Sequence, residues 1–89
     1  MNHLTLPRFW RYYRQLPSDV RDLADASFEL LKVDPYHPSL HLKKIGRNKA
    51  LWSVRVGVHY RALGMDKPDG IVWFWIGDHD EYMRVLKQW

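Results

Sequence analysis

The stretch Leu51-Trp52-Ser53-Val54-Arg55-Val56-Gly57-Val58-His59-Tyr60-Arg61-Ala62-Leu63-Gly64-Met65 decides the fold class. Two runs of alternating character flank a tight Gly57-Val58-His59 connection, the pattern of antiparallel strands over residues 51–56 and 60–65. Trp52, Val54 and Val56 point to one face of the first strand, Ser53 and Arg55 to the other. A hairpin centred on Val58 sets Arg55 opposite Arg61 and matches the apolar set to Tyr60 and Ala62. The apolar face is predicted to lie under helices. The opposite, open face shows Arg55, Arg61 and His59, with His41 and Lys43 from a preceding strand. Two arginines directly opposed repel each other unless an anion lies between them, so the pair suggests a phosphate site.

Working outward, Leu40-His41-Leu42-Lys43 also alternates and predicts a half-buried strand, followed by a turn at Gly46-Arg47-Asn48-Lys49. Lys67-Pro68-Asp69-Gly70 is a turn signal. Residues 71–76 are apolar on both faces, as expected of a central strand. Upstream, Phe9, Tyr12, Tyr13 and Leu16 recur at helical spacing in residues 7–16, with Thr5 as a cap and Pro7 as an early helical proline. After Leu16-Pro17, Ser18 is placed to cap a second helix whose inner stripe is Val20, Leu23, Ala24, Ser27, Phe28 and Leu31; Asp34-Pro35 ends it. Asp78 and Glu81 have capping-box spacing before a last helix with Tyr82, Val85, Leu86 and Trp89 on one stripe. Met1 to Leu6 carry no clear strand pattern. The predicted architecture is α+β: an N-terminal helical hairpin packed on an antiparallel sheet of about four strands, with a short C-terminal helix, all in one domain of residues 1–89.

Charge is distributed unevenly along these elements. The net charge is +4, yet residues 1–34 are neutral and residues 65–89 carry more acid than base. The excess lies in residues 35–64, where Lys43, Lys44, Arg47, Lys49, Arg55 and Arg61 occur without a single Asp or Glu. Such a cluster is an electrostatic footprint for phosphate. The chain has no cysteine, which excludes disulfides and thiolate metal sites. His37 and His41 have the i, i+4 spacing of a helical metal pair, but Pro38 breaks a helix there, so no metal site is expected. The apolar run Ile71–Ile76 is far shorter than the ~20 residues that cross a bilayer, and the first residues lack the pattern of a secretory signal. A cytoplasmic protein with no membrane partner is the expectation.

Four segments, in order, carry a resemblance: Asp34-Pro35-x-x-Pro38-Ser39-Leu40-x-x-Lys43; Trp52-Ser53-Val54-Arg55-Val56-Gly57; Tyr60-Arg61-Ala62-Leu63; and Trp75-Ile76-Gly77-x-His79-x-x-Tyr82. Together they resemble the RelE/ParE superfamily of toxins from bacterial toxin–antitoxin systems. The resemblance implies helices on a curved antiparallel sheet and a cognate antitoxin protein as partner. It also implies one of two activities: RelE-like mRNA cleavage, often in the ribosome and without metal or other cofactor, or ParE-like inhibition of DNA gyrase without nuclease chemistry. A catalytically silent relative that binds its antitoxin, with or without nucleic acid, is a third reading. The resemblance places Arg55 and Arg61 where RelE-like toxins hold basic residues on the sheet. It places His79 near a catalytic His or Arg and Tyr82 near a functional Tyr. Arg55 and Arg61 are then candidates to clamp the scissile phosphate, because a guanidinium offers a planar fork of donors, and His79 to transfer a proton. Tyr82 also lies on an apolar helical stripe, which suits core packing. Lys43, Lys44, Arg47 and Lys49 are candidates for backbone phosphate. Exposed aromatic side chains could stack bases.

Overall fold

A computed structural model describes all residues, Met1–Trp89. The chain runs β1 (Asn2–Thr5), α1 (Pro7–Arg14), α2 (Ser18–Val33), a 3-10 turn at Pro38–Leu40, β2 (Lys43–Ile45), β3 (Leu51–Val56), β4 (Tyr60–Lys67), β5 (Gly70–Asp78) and α3 (His79–Leu86). The strands form one sheet in the order β1-β5-β4-β3-β2. The α+β architecture is as predicted, but the sheet has five strands and is mixed. β1, which the sequence did not announce, pairs in parallel with β5, Asn2 opposite Gly70 through Thr5 opposite Trp73. Gly70 makes that approach possible: at φ +144° it lies so close that a Cβ would stand 2.2 Å from the Asn2 carbonyl oxygen. The side chain of His3 seals the join, its Nδ1 accepting from Trp73 Nε1 at 3.1 Å while the two rings stack.

A second correction concerns residues 40–43. Pro38 and Ser39 initiate a 3-10 turn there, with His37 as its cap, Nδ1 accepting from the Ser39 N–H. His41 then takes a left-handed conformation, φ 46°, and β2 starts only at Lys43. The missing N–H of Pro38 and the local histidine cap outweigh the alternating pattern. The two proposed N-caps also fail as caps: neither Thr5 nor Ser18 bonds a helix N–H, and Thr5 instead accepts from Trp10 Nε1 at 3.0 Å. Asp78 does cap α3, its carboxylate accepting from the Glu81 N–H at 2.8 Å.

The β3–β4 register is the expected one: Val54 faces Ala62, Val56 faces Tyr60, and Arg55 faces Arg61. On the apolar side, Val54, Val56, Ala62, Trp73 and Ile76 meet Val20, Ala24 and Leu31 of α2 in the larger core. The other side is not fully open. A bulge at Leu63/Gly64 pairs Leu63 with Trp75 but Gly64 with Trp73, so the consecutive residues Phe74 and Trp75 turn to the same side. They join Leu51, Leu63 and Tyr82 in a second core, which α3 covers. Within it the Ser53 hydroxyl and Tyr82 hydroxyl lie 3.0 Å apart, and both residues are buried. α1 packs on β5, and its Tyr12 touches both cores. The end of this face near the β3–β4 turn stays accessible, as does Lys43 on the β2 edge.

Candidate nucleic-acid interface

That accessible end is built by three strands, β3, β4 and β5. Alternation along β3 and β4 brings Arg55 and Arg61 side by side, with Gly77 of β5 as the next residue in the row. Gly77 is buried beneath the Trp75 ring, which would lie 2.5 Å from any Cβ there; the β5 surface next to Arg61 is therefore this indole rather than a side chain of residue 77. The turn between the strands then fixes the guanidinium groups. Arg55 Nε donates to the Gly57 carbonyl at 2.9 Å, and Arg61 Nη1 donates to the Tyr60 carbonyl at 2.8 Å and to Val58 at 3.4 Å. Gly57, at φ +60°, gives the turn its shape. Each guanidinium has five N–H donors, so most remain for a ligand. Donors held in place before a ligand arrives need no reorganisation when charge develops on it.

Neither arginine has a carboxylate partner. The ion pairs of the chain are Lys32–Glu29 at 2.9 Å and Lys44–Asp66 at 3.1 Å. The acidic segment that follows β5 folds onto itself instead. The Glu81 backbone N–H holds the Asp78 carboxyl below the usual carboxylate range, while burial and the neighbouring Asp78 push Glu81 up. The positive potential between Arg55 and Arg61 is thus left uncompensated.

Histidines border the pair. His41 Nε2 lies 3.4 Å from Arg55 Nη1. His79 donates its backbone N–H to the His59 carbonyl at 2.8 Å, so these two residues adjoin at the end of the β4–β5 ladder. They stand two residues beyond the Arg61–Gly77 pair, about 7 Å along the strand. The His79 side chain is exposed and its ring is 5.7 Å from that of Tyr82.

The remaining candidates separate. Tyr82 is 6% exposed, with its hydroxyl on Ser53, and belongs to the second core. Lys43 is exposed opposite Ser53, on the arginine side of the sheet. Lys44 points to the other side, where its ammonium lies over the Trp52 ring and pairs with Asp66. Trp52 Nε1 donates to the same carboxylate at 2.9 Å, and this bond, with Lys44, holds Asp66 below the ordinary carboxylate range. Arg47 and Lys49 are exposed in the β2–β3 turn, beyond the Leu51 end of β3, which itself lies ~13 Å along the strand from Arg55. The structure therefore sets Arg55 beside Arg61, with Lys43 flanking the pair on β2 and His79 flanking it beyond β5, and places Lys44, Arg47 and Lys49 elsewhere. Tyr36, exposed beside His41, was legible only as one aromatic residue in a loop. No three His, Asp or Glu side chains converge in metal-binding geometry.

No curated protein sequence matches the chain at a significant level. Solved structures share its fold. Chains similar to it include one from a RelB-RelE antitoxin-toxin complex from Methanococcus jannaschii, at 18% identity and TM-score 0.73, covering 92% of this chain and 96% of that one. A YoeB/ParE toxin from Agrobacterium tumefaciens is 12% identical with TM-score 0.66, over 89% and 99% of the two chains. A copper-bound mutant toxin from Helicobacter pylori is 16% identical with TM-score 0.62, over 91% and 97%. A family model described as the ParE-like toxin domain matches residues 18–84, from the start of α2 into α3. With that span covering the sheet rows and the basic end described above, the chain belongs to the ParE-like toxin family.

Proposed function

We propose that this protein is the toxin of a type II toxin–antitoxin pair and that it cleaves mRNA during translation without a metal ion, at the Arg55–Arg61 end of the sheet. One observation carries the reading: two arginines face each other across β3 and β4, pinned by turn carbonyls and free of any carboxylate. In this reading the scissile phosphate lies between the guanidinium groups, with Lys43 holding a neighbouring phosphate. The 2′-oxygen attacks phosphorus as it loses its proton, the arginines stabilise the phosphorane, and the 5′-oxygen leaves. His79 transfers a proton in this sequence, protonating the 5′-oxygen, and the adjoining His59 accepts the 2′-hydroxyl proton. The products are a 2′,3′-cyclic phosphate and a 5′-hydroxyl. Tyr82 holds α3, and with it His79, against the sheet. An antitoxin protein is the partner that silences the toxin, as supported by the similar Methanococcus jannaschii chain, which belongs to an antitoxin–toxin complex.

A second reading has its own support: the matching family model is the ParE-like one, which favours a non-nuclease inhibitor of DNA gyrase. Purified protein added to ribosomes programmed with a defined mRNA, and in parallel to a gyrase supercoiling assay, separates the two. Cleavage with a cyclic phosphate end, lost in His79→Ala, is the expected result. Intact mRNA together with blocked supercoiling would establish the gyrase reading in its place.

A further inference from the structure

The loop that precedes β2 presents rings beside the arginine pair that the core does not use. Tyr36 is 66% exposed, makes no hydrogen bond and packs on no other aromatic ring. Its neighbours are held in place. Pro35 and Pro38 bracket the segment, which restricts the backbone at and before each proline. The His37 ring is fixed at Nδ1 by the Ser39 N–H and lies 2.8 Å from the Ser39 hydroxyl. His41 sits in the left-handed region, uncommon for a residue with a side chain, and its Nε2 reaches to 3.4 Å from Arg55 Nη1. Tyr36, His37, Pro38, His41, Leu42 and Lys43 enclose an open groove of about 400 Å³. That is within the range of small-ligand clefts, roughly 300–1,000 Å³. No acid lines it, and Lys43 at its rim has no ion pair.

We propose that this groove is a nucleobase subsite: an unpaired RNA base stacks on Tyr36 while His37 and His41 bond its edge, and its phosphate passes between Lys43 and Arg55. The inference rests on the reading of the arginine pair as an RNA phosphate site. A single-stranded substrate follows from it, because only an unstacked, unpaired base can enter a side groove. The subsite lies on the β2 side of Arg55, whereas His59 and His79 adjoin beyond Arg61 on the β5 side. The base bound there therefore belongs to a nucleotide next to the cleaved bond, and Tyr36 contributes to sequence choice rather than to proton transfer.

Binding of two labelled oligonucleotides of equal charge tests this: hexauridylate, and a hexamer of the same backbone with abasic riboses. The wild-type chain is expected to bind hexauridylate about tenfold more tightly, in keeping with the effect of one stacked base. Tyr36→Ala and Tyr36→Leu should abolish that preference, Tyr36→Phe should keep it, and Arg55→Ala should weaken both ligands equally. Equal binding of the two hexamers by the wild type, or a preference that survives in Tyr36→Ala and Tyr36→Leu, would overturn the subsite. If Arg55→Ala still weakened binding in that case, the phosphate site would stand without it. Failure of the wild type to bind either hexamer would remove both.

Discussion

The two ends of the β3–β4 hairpin carry similar sequence chemistry and different electrostatics. At the open end of the strands, Lys44 meets Asp66 and the Trp52 ring, a closed set in which the cation has an anion, a π face and a shared hydrogen-bond donor. At the turn end, Arg55 and Arg61 face each other and bond only backbone carbonyls and a histidine. A basic residue with its counter-ion within the fold is surface chemistry. A basic pair without one keeps its donors free for an anion, and here it is held against its own repulsion by the register of a sheet whose other face is core. Clustered charge in the sequence does not separate the two cases; the strand pairing does.

The contrast can be broken first at the covered middle of the same face, where the largest stability effect is expected. Tyr82→Phe leaves the buried Ser53 hydroxyl without its partner and should cost about 1–3 kcal/mol. For a domain of this size each kcal/mol lowers Tm by about 4–8 °C, which thermal unfolding followed by circular dichroism would read. At a temperature where the variant is folded, its mRNA cleavage should match the wild type, since the phenol is in the core rather than at the phosphate. A large loss of cleavage with unchanged Tm would instead return Tyr82 to the chemistry.

Salt sharpens the comparison in a second way. Each phosphate contact adds to the fall of log K with log salt, so Arg55→Ala or Arg61→Ala should reduce the slope for single-stranded RNA by about 0.7. Lys44→Ala should leave the slope unchanged, because Asp66 already neutralises that ammonium. A titration series at several salt concentrations checks both. Equal slope changes for Lys44→Ala and Arg55→Ala would erase the distinction between the two ends.

The smallest effect concerns the sheet edge. Burial, the N-terminal ammonium and Lys32 hold the His3 imidazole below its ordinary value of 6.5. The folded state thus favours neutral His3, whose Nδ1 accepts from Trp73. Below 6.5 the unfolded chain binds the extra proton first, so this contribution to stability is present at higher pH and declines as pH falls through 6.5 toward the folded value. The thermal midpoint should fall modestly between pH ~7.5 and ~5.5, and by less in His3→Gln. Asp66 and Asp78, both held below their ordinary value of 3.8, act only in a more acidic window: their stabilising share is present above that value and is lost as pH falls through the folded one.

Much of this arrangement is legible in the sequence where the signals are local. The alternation of residues 51–65 gives the Arg55–Arg61 register because a short turn leaves few pairings that keep Trp52, Val54 and Val56 on one face. The Asp78 cap is visible because its partner is three residues away. What escaped detection depends on distant residues. β1 is four residues long and exists because Gly70, sixty-eight positions from Asn2, lets it approach. The second core depends on a bulge that turns Phe74 and Trp75 to one side, which regular alternation does not foresee. His41 was expected on the face of Arg55 as part of a strand; it comes within 3.4 Å of Arg55 from a left-handed turn residue instead. The site was thus readable as a pair of arginines but not as a bounded surface with a covered middle and a compensated far end.

The most direct test of the central claim is the initial rate of mRNA cleavage on programmed ribosomes by Arg61→Ala and Lys44→Ala, each against the wild type. Loss of a preorganised donor to the transition state predicts a fall of about 10²–10³-fold for Arg61→Ala, with Lys44→Ala near the wild-type rate. Wild-type cleavage by Arg61→Ala, or an equal fall in both variants, would contradict it.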